Sequence, residues 1–132
     1  MKIFLLILLF AFSAVAQSRT IAVTIDDLPV VSTRRTIENR REITKKLLGH
    51  IKKAKVPAIG FVNENKLFVN GVRDENEVNL LRMWLDAGLE LGNHTFSHRS
   101  ADAIPVTDYT ADILRGEYGP YRANNDLLFS TF

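Results

Sequence analysis

The sequence predicts an α/β fold built on parallel strands, and three observations carry that prediction. Short apolar runs rich in β-branched residues alternate with long segments whose apolar residues recur at helical spacing. The resulting order of strand, helix, strand, helix, strand calls for a parallel sheet with right-handed crossovers. The two stretches richest in chemistry, VTIDDLP at 23–29 and GLELGNHTFSHRS at 88–100, each fall at the C-terminal end of a predicted strand. In α/β folds that end is where loops gather side chains into a site, so residues about 70 apart in the chain can meet.

The elements follow in order. Met1-Lys2 precedes IFLLILLFAFSAVAQ, in which an early positive charge, an apolar core and small residues at Ala14 and Ala16 have the form of a secretory signal cleaved after Ala16. The uninterrupted apolar run from Ile3 to Phe12 is too short to span a bilayer, which needs roughly 20 residues. A secreted or periplasmic location after cleavage near Ala16 is therefore expected, with no stable membrane span. The absence of cysteine excludes a disulfide framework.

TIAVTI at 20–25 suits a buried strand. A helical pattern runs from about Thr36 to Lys55, and PAIGFVN at 57–63 is a second strand opened by Pro57. NENKLFVNGVRDE is rich in turn residues, with Asn70-Gly71 its clearest break. ENEVNLLRMWLDAG reads as a helix stopped by Gly88, and LELGNH as a third strand whose end delivers His94. One more helix is predicted from Val106 to Arg115, with Thr107 as its N-cap. YGPYRANNDLLFSTF, which closes the chain, has no sustained period.

The formal net charge of +2 falls to +1 once Lys2 leaves with the leader. The surplus is local: Arg34, Arg35, Arg40, Arg41, Lys45, Lys46, Lys52, Lys53 and Lys55 crowd one segment. Ile37, Ile43, Leu47, Leu48 and Ile51 recur through it at near-helical spacing, so the charges read as the solvated face of an amphipathic helix. No nucleic-acid partner is expected.

Two histidines and a carboxylate suffice to hold a catalytic divalent metal with a position left open for water. His94 and His98 are four apart, and Asp26 and Asp27 are adjacent. Because successive residues leaving a strand point in different directions, one aspartate can ligate while the other receives a proton. Each half has a plainer reading alone. A His pair four apart can lie on one face of a helical turn, and Asp is common in turns and caps.

The combination resembles the NodB-like polysaccharide deacetylases, a carbohydrate esterase family. TIDDLP, Thr24 to Pro29, resembles the family's first motif, TFDDGP, and GNHTFSH, Gly92 to His98, its second, H[ST]xxH. PAIGFVN is similar to the intervening ATFFV strand, and GLELGNH to GHEIGNH. Ile25 stands where the family has Phe, and Leu28 where it has Gly. The resemblance implies Asp26 as catalytic base, Asp27, His94 and His98 as metal ligands, and hydrolysis of an acetyl group from an amino sugar or sugar ester of a polysaccharide. Zinc suits the ligand set first, with cobalt, nickel and manganese as alternatives. Thr95 and Ser97 could orient the site or serve as turn and cap residues.

The resemblance also implies the N-terminal part of an irregular (β/α) barrel. Residues 17–132 number 116, against roughly 200 or more for related barrels. The expected organisation is a signal peptide at 1–16 and a partial deacetylase domain at 17–132, with 116–132 a candidate non-native tail. The family's base-orienting arginine and late general-acid histidine are not identifiable: His50 sits on the basic helix, and Arg122 lacks the flanking pattern. The expectation is a truncated chain with the metal half of a site, marginally stable because an open sheet edge is left. The alternative is a noncatalytic secreted fragment that binds metal or glycan. A phosphoryl-transfer enzyme of the haloacid dehalogenase-like kind is disfavoured, because that family spaces its aspartates one residue apart.

Overall fold

A computed structural model describes residues 20–34 and 36–118. The signal segment at 1–16 and residues 119–132, including Arg122, lie outside the described residues. The order is β1 (Val23–Leu28), α1 (Ile37–Ala54), β2 (Ala58–Val62), a 3₁₀ turn (Glu64–Leu67), β3 (Phe68–Val69), β4 (Val72–Arg73), α2 (Glu75–Asp86), β5 (Glu90–Asn93) and α3 (Val106–Tyr118).

β1, β2 and β5 form the expected parallel sheet, with β2 in the centre. α1 begins at the Thr36 cap, whose hydroxyl accepts from Asn39 N–H at 3.4 Å, and ends where Lys55 turns left-handed. It buries Thr44 and Leu48, and His50 is exposed on it. One of its cations departs from the solvated face: Arg40 is mostly buried and pairs with Glu77 of α2 at 2.6 Å. That pair ties the two helices on the sheet together.

The core centres on Trp84 of α2, which is fully buried among Leu28, Leu48, Val62, Leu67, Val78, Leu81 and Leu91. The close approach of α2 to the sheet explains Gly60. A Cβ there would lie 2.2 Å from Leu28 Cδ1 and 3.2 Å from the Trp84 ring. Leu28, the departure from the family's glycine, is 3% exposed and fills the space that Gly60 leaves. Its side chain therefore belongs to the core, on the sheet's packed face.

Two features of the connecting segments differ from the sequence reading. NENKLFVNGVRDE contains a 3₁₀ turn and an antiparallel hairpin, β3 with β4, around Asn70 and Gly71, both at positive φ. Such a pair is what a two-residue hairpin turn requires. Thr107 is not the cap of α3. The helix starts one residue earlier, at Val106, and the Pro105 carbonyl accepts the first bonds, from Asp108 and Tyr109 N–H at 3.0 Å each. α3 also runs three residues past Arg115, through Tyr118. No helix among the described residues is long and apolar enough to cross a membrane.

Candidate metal centre

The end of β1 is irregular. Ile25 pairs with Gly60 and Leu28 with Val62, so Asp26 and Asp27 together oppose Phe61 alone. This two-against-one bulge re-aims side chains, and Asp27 completes it at φ 66°, a left-handed conformation that Asp tolerates better than most residues. Asp26 is exposed and Asp27 half-buried.

His94 and His98 lie on an irregular loop after β5, not on a helical turn. The His94 N–H donates to Val62 O at 2.9 Å, so the ladder with β2 continues one residue past the strand. Beyond it the chain bends through Thr95 (φ 64°) and His98 (φ 55°). Positive φ is costly for a β-branched residue, and several bonds hold it. Asn93 Oδ1 accepts from Thr95 N–H at 2.7 Å, and Thr95 Oγ1 accepts from His98 N–H at 3.0 Å. Asn63, buried at the end of β2, donates to the carbonyls of His94 at 2.6 Å and Thr95 at 3.3 Å.

The second brace comes from α3. Asp112 accepts from Ser97 N–H at 3.0 Å and Ser97 Oγ at 2.6 Å, while its own carbonyl accepts from Phe96 N–H at 3.1 Å. Burial raises the Asp112 carboxyl, but bonds from Ser97 and Thr95 and the charge of Arg99 outweigh it and leave it below the usual carboxylate value. Thr95 and Ser97 thus act as turn residues that shape the histidine loop. α3 can approach because Gly116 has no side chain: a Cβ there would meet Asn93 Oδ1 at 2.6 Å and Glu64 Oε2 at 2.8 Å.

Asp27, His94 and His98 converge, with donor atoms all within 4.8 Å of one another. The His94 and His98 ring centroids are 4.9 Å apart, and His98 Nε2 is 3.7 Å from Asp27 Oδ1. Two donors at tetrahedral positions on an ion, each at about 2.0 to 2.2 Å from it, would be separated by about 3.3 to 3.6 Å. The two-nitrogen, one-oxygen set suits a divalent metal, with its donors somewhat wider apart than they would stand on one ion. Asp26 is not one of the converging three.

Lys66, which sequence reasoning missed, sits on the 3₁₀ turn and reaches Asp27, with Nζ 2.8 Å from Oδ1 and 3.0 Å from the backbone carbonyl. Its hydrogen bond is the main reason the Asp27 carboxyl lies below its ordinary value, with the charges of Lys66, His98 and His94 adding to the effect against burial. Asn63, Asn93 and Asp112 were likewise missed. An open cleft beside the histidines is lined by Thr95, Arg99, Ser100 and Tyr109.

A family model described as polysaccharide deacetylase matches residues 14–118. No curated protein matches the chain. Among solved structures, the chain is similar to the Bc1960 peptidoglycan N-acetylglucosamine deacetylase, with 26% identity and a TM-score of 0.53 over 73% of this chain and 37% of that one. It is also similar to the chitin deacetylase of the fungal pathogen Colletotrichum lindemuthianum, with 27% identity and a TM-score of 0.52 over 76% of this chain and 39% of that one. The chain thus spans less than two-fifths of either relative, and its parallel sheet corresponds to the N-terminal part of their (β/α) barrel. With the family motifs at the ends of β1 and β5 and the match extending over most of its length, the chain belongs to the polysaccharide deacetylase family.

Proposed function

We propose that this chain carries the metal and base residues of a metal-dependent hydrolase that removes acetyl groups from amino sugars or sugar esters of a polysaccharide. The observation that carries the reading is the convergence of Asp27, His94 and His98, with a second carboxylate, Asp26, adjacent in the chain. The two structural relatives are, by name, deacetylases of peptidoglycan N-acetylglucosamine and of chitin, which supports an acetylated amino-sugar polymer as substrate.

Asp27, His94 and His98 would hold the ion, zinc first and cobalt, nickel or manganese as alternatives. Such an ion supplies a polarised acetyl carbonyl and a bound water of lowered pKa. Asp26, exposed on the bulge of β1, takes the proton of the attacking water as general base. The cleft beside the histidines leaves the site open to a polymer from the side of Arg99 and Tyr109. The leader at 1–16 is read as a signal peptide, which would bring the protein to extracellular or periplasmic glycans.

The test is deacetylation of acetylated chito-oligosaccharides by the purified chain, followed by mass spectrometry with zinc or cobalt added. Metal-dependent loss of acetyl mass, absent in Asp26→Asn although that variant still binds metal, is the expected result. One-to-one metal binding without turnover would instead favour the noncatalytic metal- or glycan-binding reading, in which a general acid is lacking. His50, exposed on α1, is not among the residues that converge with Asp27.

A further inference from the structure

The oxygen of Asp27 that faces the histidines is already engaged. Oδ1 is 3.7 Å from His98 Nε2, on the side where an ion would be shared, and 2.8 Å from Lys66 Nζ. The same ammonium also bonds the Asp27 carbonyl at 3.0 Å, so it grips the residue at two points. A lysine head group is a strongly hydrated point charge with three donors and no acceptor. It can therefore satisfy a carboxylate but never a metal. An ion bound to Oδ1 would stand roughly 4 Å from an ammonium still bonded to that oxygen, two like charges with little solvent between them.

We infer that Lys66 competes with a metal ion for Asp27: it neutralises the carboxylate and holds it in place, and an ion bound to Oδ1 displaces Nζ from that oxygen. Lys66 is suited to this exchange. Its side chain is 31% exposed, on a short 3₁₀ turn, so the head group has solvent to move into. Lysine carries several rotatable bonds and gives up a bond more readily than the planar fork of arginine does. The consequence is that Lys66 lowers the affinity of the site for divalent ions and sets how readily metal exchanges.

The inference rests on the reading of Asp27, His94 and His98 as a metal site, and the two fail separately. Zinc affinity is measured on the purified chain by competition with a chromophoric chelator, for the parent and for Lys66→Met, Lys66→Gln and Lys66→Arg. Tenfold or greater tightening in Lys66→Met and Lys66→Gln is expected, with Lys66→Arg at or below the parent affinity. In the unaltered protein, acylation of Lys66 by an amine-reactive ester, read by peptide mass spectrometry, is expected to quicken when zinc is added. Unchanged or weaker zinc binding in both neutral variants, or a Lys66 acylation rate indifferent to zinc, overturns the inference and makes the lysine a permanent brace of Asp27. Absence of zinc binding in the parent and all three variants overturns the metal-site reading itself, and the inference with it.

Discussion

Glu64 is the most heavily perturbed group in the described residues, and its effect on stability can be worked out. It follows Asn63 at the end of β2, is 1% exposed, and neither carboxyl oxygen has a hydrogen-bond partner in another of the described residues. Burial pushes its carboxyl from the ordinary 4.5 up to about 8; its own backbone N–H opposes this, and the charges of Glu117 and Asp112 add to it. A folded-state pKa above the unfolded one means that the contribution to stability is complete below 4.5 and is lost as pH rises through about 8. Between pH 5 and 7 the unfolded chain is largely ionised at this position while the folded chain remains protonated. At about 1.4 kcal/mol per pKa unit, this single group costs the fold about 2 to 3 kcal/mol over that interval. Glu64→Gln keeps the shape and removes the titration. Urea unfolding followed by the fluorescence of Trp84, the one tryptophan, should show the parent losing that much more stability than the variant from pH 5 to pH 7. Parallel losses in the two proteins would refute the account, since they would place a charge or a partner on Glu64 in the folded state.

Three further outcomes follow from the contacts. Asp112→Ala removes the acceptor of both Ser97 bonds and should weaken zinc binding by about 10- to 100-fold, as loss of a group that orients ligands does; unchanged affinity would mean that the histidine loop holds its shape without α3. Gly60→Ala drives a methyl into Leu28 and Trp84 and should cost about 1 to 3 kcal/mol by urea unfolding. Much of that cost should return in the Gly60→Ala, Leu28→Ala double variant when compared with Leu28→Ala alone; simple additivity would refute the contact. Arg40→Ala strands the mostly buried Glu77 carboxylate and should destabilise by more than the roughly 1 kcal/mol of an exposed pair, read against Glu42→Ala, whose partner Lys46 is exposed.

What was legible in the sequence is what local pattern encodes. β1, β2, β5 and all three helices announce themselves through apolar runs and periodicity, and the helix read from about Thr36 begins at Ile37 with Thr36 as its cap. The hairpin was visible only as Asn-Gly, because strands of two residues each are too short for any alternation to register. Thr107 misled because a hydroxyl near a helix start resembles a cap, whereas the Pro105 carbonyl already takes the first bonds. At the site, Asp27, His94 and His98 were legible as motif residues. Asn63, Lys66 and Asp112 were not: each acts across 15 to 39 residues of sequence, and no spacing rule connects Lys66 with Asp27 or Asp112 with Ser97. Arg40 was hidden for the same reason, since its partner Glu77 lies on another helix.

The sheet order explains why residues outside the motifs matter at this site. Asp27 and His94 leave β1 and β5, which are not neighbours, for β2 runs between them. Strands lie about 4.8 Å apart, so the two backbones are separated by roughly twice that distance, and an Asp and a His side chain meet above β2 only if both are aimed toward it. Two departures from regular geometry aim them. The bulge at Asp26 and Asp27 turns one carboxylate inward, and Asn63 draws the carbonyls of His94 and Thr95 over the central strand, while Lys66, three residues on, contacts Asp27 from the same segment. The short stretch from Asn63 to Lys66 therefore contacts both halves of the site, although it supplies none of the proposed ligands. A substitution there should disturb metal affinity while leaving the proposed ligands chemically intact, which sets this segment apart from the histidine loop and from β1.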